Sequence, residues 1–408
     1  MAQISRHEKV YLDNLKKRVQ IFTEAVVKMV CPVFLAVSIS LTKLDKQSID
    51  DGHLIRDSIS PLAGFTLVSS ILSVLFLSVA KLFKGKLFCL YMISIYLCGL
   101  FLMILAFLTL LLTSKKHQLM WIPLVFFGIL TIIYARFIVW NGHEHDAEVY
   151  RTSGDKLENS VDFLAAITFL LFLGLGGTML GGQYGTIQGN ELKYKELLLG
   201  SLWLSFTTCI AGVAVMLMDM LPPAEIIGNK MKGKDICHIL DVIDYIFGVV
   251  LALIVLLITH GTLRSWWAFG VALGMSIFPF GVWAVLASKT NGQQQWNEEV
   301  KPASLDLTKV TFTGFLGISV HILSNSTQSI DRVQFSFIFL TAVAVNTGLG
   351  WRLFTHEKKP LVARFKAGSV ASWCARVCIA ASIIPFAWMS LRALKEVTTA
   401  IPAPSPRC

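Results

Sequence analysis

Charge is what this sequence has least of. Only 15% of its 408 residues are Asp, Glu, Lys or Arg, against 54% hydrophobic residues; soluble domains carry about 25% charged residues. With a mean hydropathy of +0.64, the chain cannot cover a water-exposed globule with polar side chains. Long polar stretches are missing as well. No connection between apolar runs approaches the roughly 50 residues that a separate soluble domain needs.

Other absences narrow the chemistry. There is no phosphate-binding Gly-x-x-x-x-Gly-Lys-Ser/Thr loop, no Gly-x-Ser-x-Gly elbow and no His-Glu-x-x-His helix, so nucleotide-driven pumping, serine hydrolysis and zinc proteolysis lose their usual machinery. No pair of aspartates sits deep in apolar surroundings, as an intramembrane aspartyl protease requires. No basic run is interleaved with aromatics, so nucleic acid is not an expected partner. The expectation is a protein that is not an enzyme and needs no cofactor.

The eight cysteines, at 31, 89, 98, 209, 237, 374, 378 and 408, fall mostly within apolar segments, where a thiol behaves as a small hydrophobe. They form no disulfide framework. Cys374 and Cys378 share a helix face, but two thiols without further His or Cys do not make a zinc site. The closing Ser-Pro-Arg-Cys lacks the spacing of a prenylation box. The opening "MAQISRHEKVYLDNLKKRVQ" is charged and has no cleavable signal pattern.

What is present is apolar length. Ten or eleven runs suit the roughly 20 residues that cross a hydrocarbon core of about 30 Å; they lie near 22–42, 60–83, 87–113, 119–140, 161–182, 196–221, 240–260, 266–288, 307–323, 333–354 and 368–392. The expected fold class is all-α, a polytopic transmembrane helical bundle. Residues 1–20 form a cytoplasmic N-terminal segment, 21–393 a single membrane domain and 394–408 a short polar tail. Lys and Arg favour the loops on the N-terminal side, which places that terminus in the cytoplasm, and the net charge of +10 suits anionic lipid head groups. The sequon at Asn325 falls on the opposite side, a possible glycosylation site of an endomembrane or plasma-membrane protein.

The chain repeats itself. "SWWAFGVALGMSIFPFGVW" at 265–283 and "SWCARVCIAASIIPFAW" at 372–388 share Ser-Trp, a small-residue stretch and Ser-Ile-x-Pro-Phe, and each follows a helix that starts with acid. Segments 7–8 therefore resemble 10–11, with repeat units near 22–113, 119–221, 238–288 and 307–392. The apolar part of segment nine is short enough to re-enter instead of cross. If it crosses, the repeats are inverted; if it does not, they are parallel. Pro279 and Pro385 are helix breakers at matching places, although proline is also a common kink in transmembrane helices.

Intramembrane polar residues come next, because burying charge in lipid is costly and points to function. They are Glu24 and Lys28, spaced to pair at i, i+4; Arg136; Asp219 at a helix end; His321; Asn346; and Arg376, the deepest, which wants a carboxylate, a lipid phosphate or water. Asp162, Asp241, Asp244 and Asp331 stand at helix starts, where the dipole favours acids; brought together in a homo-oligomer they would make a cation-selecting mouth. His143 and His145 in "NGHEHDAEVY" are the nearest thing to metal ligands, but they lack further partners. In "GLGGTMLGGQYG" at 174–185, Gly177, Gly181 and Gly185 recur at i+4 and offer a close helix contact.

These residues favour ion passage, most simply a cation-permeable channel or pore subunit, with a secondary transporter of a small solute or a non-conducting scaffold as alternatives. Lipid and an inorganic cation or small solute are the expected partners.

Overall fold

A computed structural model describes residues 6–43, 52–79, 86–113, 158–172, 195–220, 233–289, 296, 300–324, 330–356 and 360–400. These fold into helices without strands. The helices are α1 (Arg6–Lys43), α2 (Gly52–Val79), α3 (Lys86–Thr113), α4 (158–172), α5 (Lys195–Met220), α6 (Gly233–Leu263), α7 (Trp266–Lys289), α8 (Asp306–Ser324), α9 (Arg332–Phe354) and α10 (Val362–Ala400). The apolar run at 119–140, the glycine stretch, His143, His145, Arg136 and Asn325 lie outside the described residues.

Six stretches among the described residues are long and apolar enough to cross a membrane: Ser58–Val79, Leu87–Leu108, Asp241–Leu263, Trp266–Lys289, Arg332–Phe354 and Val362–Arg392. Their packing reverses the soluble pattern. On α2 the buried positions include Ala63, Thr66, Ser70 and Ser73, while Phe65, Val68, Leu72 and Leu75 are exposed. On α7 the buried face is Ala268, Ala272, Ser276 and Pro279, and Trp266 and Trp267 point outward. On α10 Ala363, Ala367, Ala371 and Ala375 are buried at every fourth position. Lipid tails solvate large apolar side chains as well as a protein core does, so helices associate through small residues that admit close backbone contact.

The chain divides into two compact bodies. The first comprises residues 1–188 and 199–251, the second 189–198 and 252–408. In the first body α1 is amphipathic: Leu15, Val19, Phe22, Val26 and Met29 are buried, while Lys17, Gln20, Glu24 and Lys28 face out. The i, i+3, i+4 recurrence of apolar side chains makes that stripe. Along α3, Ser94 Oγ donates to Ser69 O of α2 at 2.7 Å and Tyr91 OH donates to Met220 O of α5 at 3.0 Å. Each hydroxyl so satisfied avoids the cost of an unpaired polar group in an apolar interior.

The second body is organised around α9, whose residues 341–350 are all buried. Facing pairs fix its neighbours. α10 runs antiparallel to it: Asp331 meets Arg392, Phe337 meets Phe386, Val343 and Ala344 share a cluster with Cys378, and Gly368 lies against Phe354. α7 runs parallel to α9, with Ser276 beside Asn346 and Phe280 beside Phe354. α8 is antiparallel to α9, because Thr308 lies against Gly348 and Gly314 near Phe337.

The connection before α8 is tied to the end of the body where α9 finishes. Ala303 N–H donates to Thr355 Oγ1 at 3.1 Å, Trp296 N–H donates to Pro360 O at 2.9 Å, and the Trp296 ring stacks on Phe365 at 4.1 Å. α8 thus begins at that end and traverses the body; α9 begins at the other. The hairpin made by α6 from residue 252 with α7 therefore runs in the opposite sense to the hairpin of α9 with α10. A left-handed Arg264 (φ 51) ends α6 and Ser265 opens α7, its Oγ accepting from Ala268 N–H at 3.4 Å.

Candidate functional site

Each of the matching prolines stands beside a buried polar side chain in the second body. Proline cannot donate to the carbonyl four residues earlier, so Pro279 leaves the Met275 carbonyl, and Pro385 the Ala381 carbonyl, without the usual helical donor. Both prolines are buried, and both helices continue past them. Three residues before each proline stands a buried serine, Ser276 or Ser382. Ser276 Oγ donates to Ala272 O at 2.7 Å, and Ser382 Oγ to Ile379 O at 2.7 Å.

Facing Ser276 on α9 is Asn346, 4% exposed. Its Nδ2 donates to Ser276 Oγ at 3.1 Å, while its Oδ1 has no hydrogen-bond partner. Thr341 and Thr347 lie to either side, and each returns its hydroxyl to its own helix: Thr341 to Phe337 O at 2.7 Å, Thr347 to Val343 O at 2.8 Å. The surroundings of Asn346 therefore hold more acceptors than donors, close to the middle of α9. An unsatisfied buried amide oxygen costs about 1–3 kcal/mol, so it stands out as a group suited to something that enters.

Toward the end of α9 the wall turns aromatic and basic. Phe354, Ala367 and Ala371 are packed by Phe280, Trp283 and Trp351. Arg352 is buried in the last turn, where the helix dipole favours a cation.

The helix-start acids occupy different settings. Asp331 caps α9: its N–H donates to Gln334 Oε1 at 3.3 Å and its carboxylate pairs with Arg392 at 3.0 Å. Asp244 in the first body is 1% exposed and accepts from Ser160 Oγ at 3.0 Å. Asp162 is exposed on α4 and Asp241 half-buried on α6. Asp219 is the penultimate residue of α5, its side chain outside the described residues, as is that of His321 on α8. Glu24 and Lys28 pair across one turn of α1 and are exposed. Arg376 is exposed on α10, its guanidinium 5.4 Å from the Trp351 ring centre. Gly177, Gly181 and Gly185 lie outside the described residues. Among the described residues no three or more His, Cys, Asp or Glu side chains converge as a metal site.

Ser276 and Ser382 carry no charge; their signal in the sequence is the repeated Ser-Ile-x-Pro-Phe, where serine and proline travel together.

Reversed packing polarity and, among the described residues, six apolar helices of crossing length make this chain a multi-pass integral membrane protein of the helical-bundle class, in contact with lipid. No family model, curated protein or solved structure matches it.

Proposed function

We propose that the chain is a secondary transporter that carries a small solute or inorganic cation through the second body, without enzymatic activity. The observation that carries this reading is the pair of oppositely running hairpins, each with a proline inside one helix, packed around the buried Ser276–Asn346 pair with its unpartnered amide oxygen. Carriers place their sites near the membrane midplane where broken helices of inverted repeats expose backbone carbonyls. A site rich in oxygen acceptors suits a cation or a solute bearing N–H or O–H donors.

The cation-permeable channel remains the second reading. It is favoured by the exposed Asp162 and half-buried Asp241 at helix starts, which a homo-oligomer would gather into a mouth field.

Purified protein in proteoliposomes separates the two. A carrier gives saturable, counterflow-competent uptake from a panel of radiolabelled alkali cations and small polar solutes, and Asn346→Ala abolishes it. A channel gives unitary current steps in a planar bilayer whose reversal potential follows the cation gradient. Unitary steps unaffected by Asn346→Ala would overturn the carrier reading.

A further inference from the structure

Arg376 poses a problem that the carrier reading does not absorb. It sits within the Val362–Arg392 span, it is exposed, and its neighbours Val377 and Ala380 on the same face are exposed too. Among the described residues no carboxylate pairs with it; its contact is the Trp351 ring. A charge on a lipid-facing helix surface needs a counter-charge or a route to water.

The register of α10 against α9 gives its depth. Asp331 opposite Arg392, Phe337 opposite Phe386 and Phe354 opposite Gly368 put the Arg376 backbone level with residues 346–347, about 11 Å below Phe354 at 1.5 Å per residue. Helical side chains lean toward the N-terminus, and contact with Trp351 shows that this one does. The guanidinium is thereby lifted to about 5 Å from the end of α9, the depth at which long cationic side chains meet the head-group boundary.

The same face continues upward with groups of matching chemistry. Lys366, Ser369 and Trp373 are exposed and recur with Arg376 at intervals of three, four and three, which keeps them on one side of the helix. The stripe offers an ammonium, a hydroxyl, an indole ring (Trp373, 67% exposed) and a guanidinium, the last able to hold two phosphate oxygens at once. Exposed tryptophans are at home at the membrane interface.

We propose that the α10 stripe Lys366–Ser369–Trp373–Arg376 binds the phosphate of an anionic phospholipid, at the end of the second body where α9 finishes. Arg376 grips the phosphodiester from below and Lys366 attracts the remaining head-group charge from above, while the acyl chains lie along Val377 and Ala380. The lipid occupant follows from charge complementarity and from an otherwise apolar face. The site is independent of whether the chain transports.

The test is native mass spectrometry of the full chain released from nanodiscs of phosphatidylcholine mixed with phosphatidylglycerol of identical acyl chains. Wild type retains phosphatidylglycerol in preference to phosphatidylcholine. Arg376→Gln lowers that retention about five-fold or more, near the worth of one basic side chain at a membrane surface, and Arg376→Lys lowers it less. Lys366→Gln gives an intermediate loss, and the exposed Lys301→Gln at the same end of the body leaves retention unchanged. Inorganic phosphate at millimolar concentration does not displace the lipid. Equal retention by wild type and Arg376→Gln, equal loss in Lys301→Gln, no head-group preference, or displacement by inorganic phosphate would each overturn the proposal. Should Arg376→Gln fail to fold, unchanged retention in Arg376→Lys together with Lys366→Gln overturns it equally.

Discussion

Replacing Gly348 by alanine tests the contact on which the sense of the hairpins depends. A β-carbon at Gly348 would lie 2.5 Å from Thr308 Oγ1 and 3.6 Å from Thr308 Cβ and Cγ2, so the obstruction is the hydroxyl alone. Threonine in a helix divides between two χ1 rotamers, but Thr308 is buried, which leaves the hydroxyl little room to swing aside. Two effects oppose each other. Alanine favours a helix over glycine by about 1 kcal/mol, whereas overpacking costs about 1–3 kcal/mol. With contact well inside van der Waals distance the clash wins, and Gly348→Ala loses about 1–2 kcal/mol net. Thr308→Ala removes the obstruction, and the double variant recovers the loss, giving a coupling of at least about 1 kcal/mol. SDS titration in mixed micelles, followed by tryptophan fluorescence, reads all four proteins. Additivity within about 0.5 kcal/mol would mean that Thr308 and Gly348 do not face each other, and the antiparallel α8–α9 arrangement, with the inverted hairpins that follow from it, would be refuted.

Three further outcomes follow from the second body. Ser276→Ala strands the buried Asn346 amide donor and costs about 1–3 kcal/mol, while adding Asn346→Ala to it costs clearly less than the sum of the singles; strict additivity in the same SDS titration would contradict the pair. Arg392→Gln breaks an exposed ion pair with Asp331 and shifts stability by no more than about 1 kcal/mol, a difference that vanishes in 1 M salt; a larger, salt-insensitive loss would show the pair buried in the assembled protein. Single cysteines placed at Lys301 and at Lys395 in a cysteine-free background react with an impermeant maleimide from opposite faces of sealed vesicles, since α8 and α9 separate their levels by one return crossing and α10 ends beyond Arg392. Labelling of both from the same face would remove the traverse.

Much of the architecture is legible in the residues, for a physical reason. Crossing a hydrocarbon layer demands long apolar helices, and that demand is local: Leu87–Leu108 and Asp241–Leu263 stand out by length and hydropathy without reference to any neighbour. The Glu24–Lys28 pairing is also local, one turn of a helix. The Ser-Ile-x-Pro-Phe repeat is likewise local, and it carries Ser276, the partner of Asn346. Less legible is the partner of each polar group. Asp331 reads as one of four acids awaiting a ring, yet it caps α9 and meets an arginine 61 residues away. Asp244 reads as its equivalent, yet it is buried against Ser160. A carboxylate's environment is set by what other helices bring to it, and no spacing within one helix encodes that.

Sequence alone determined the class: a chain with this little charge and this much apolar length must live in a membrane, as helices, with small residues marking the faces that touch. Tertiary structure alone decided the sense of the hairpins and which buried polar side chains meet. Whether α8 returns or traverses turned on contacts between Thr308 and Gly348 and between Ala303 and Thr355, far apart in the chain, and an apolar run of marginal length fits either course. Once α8 traverses, the two hairpins oppose, and Ser276 comes to rest beside Asn346, 70 residues on. Helix formation is a property of a segment, whereas which segments face one another depends on packing across the whole body.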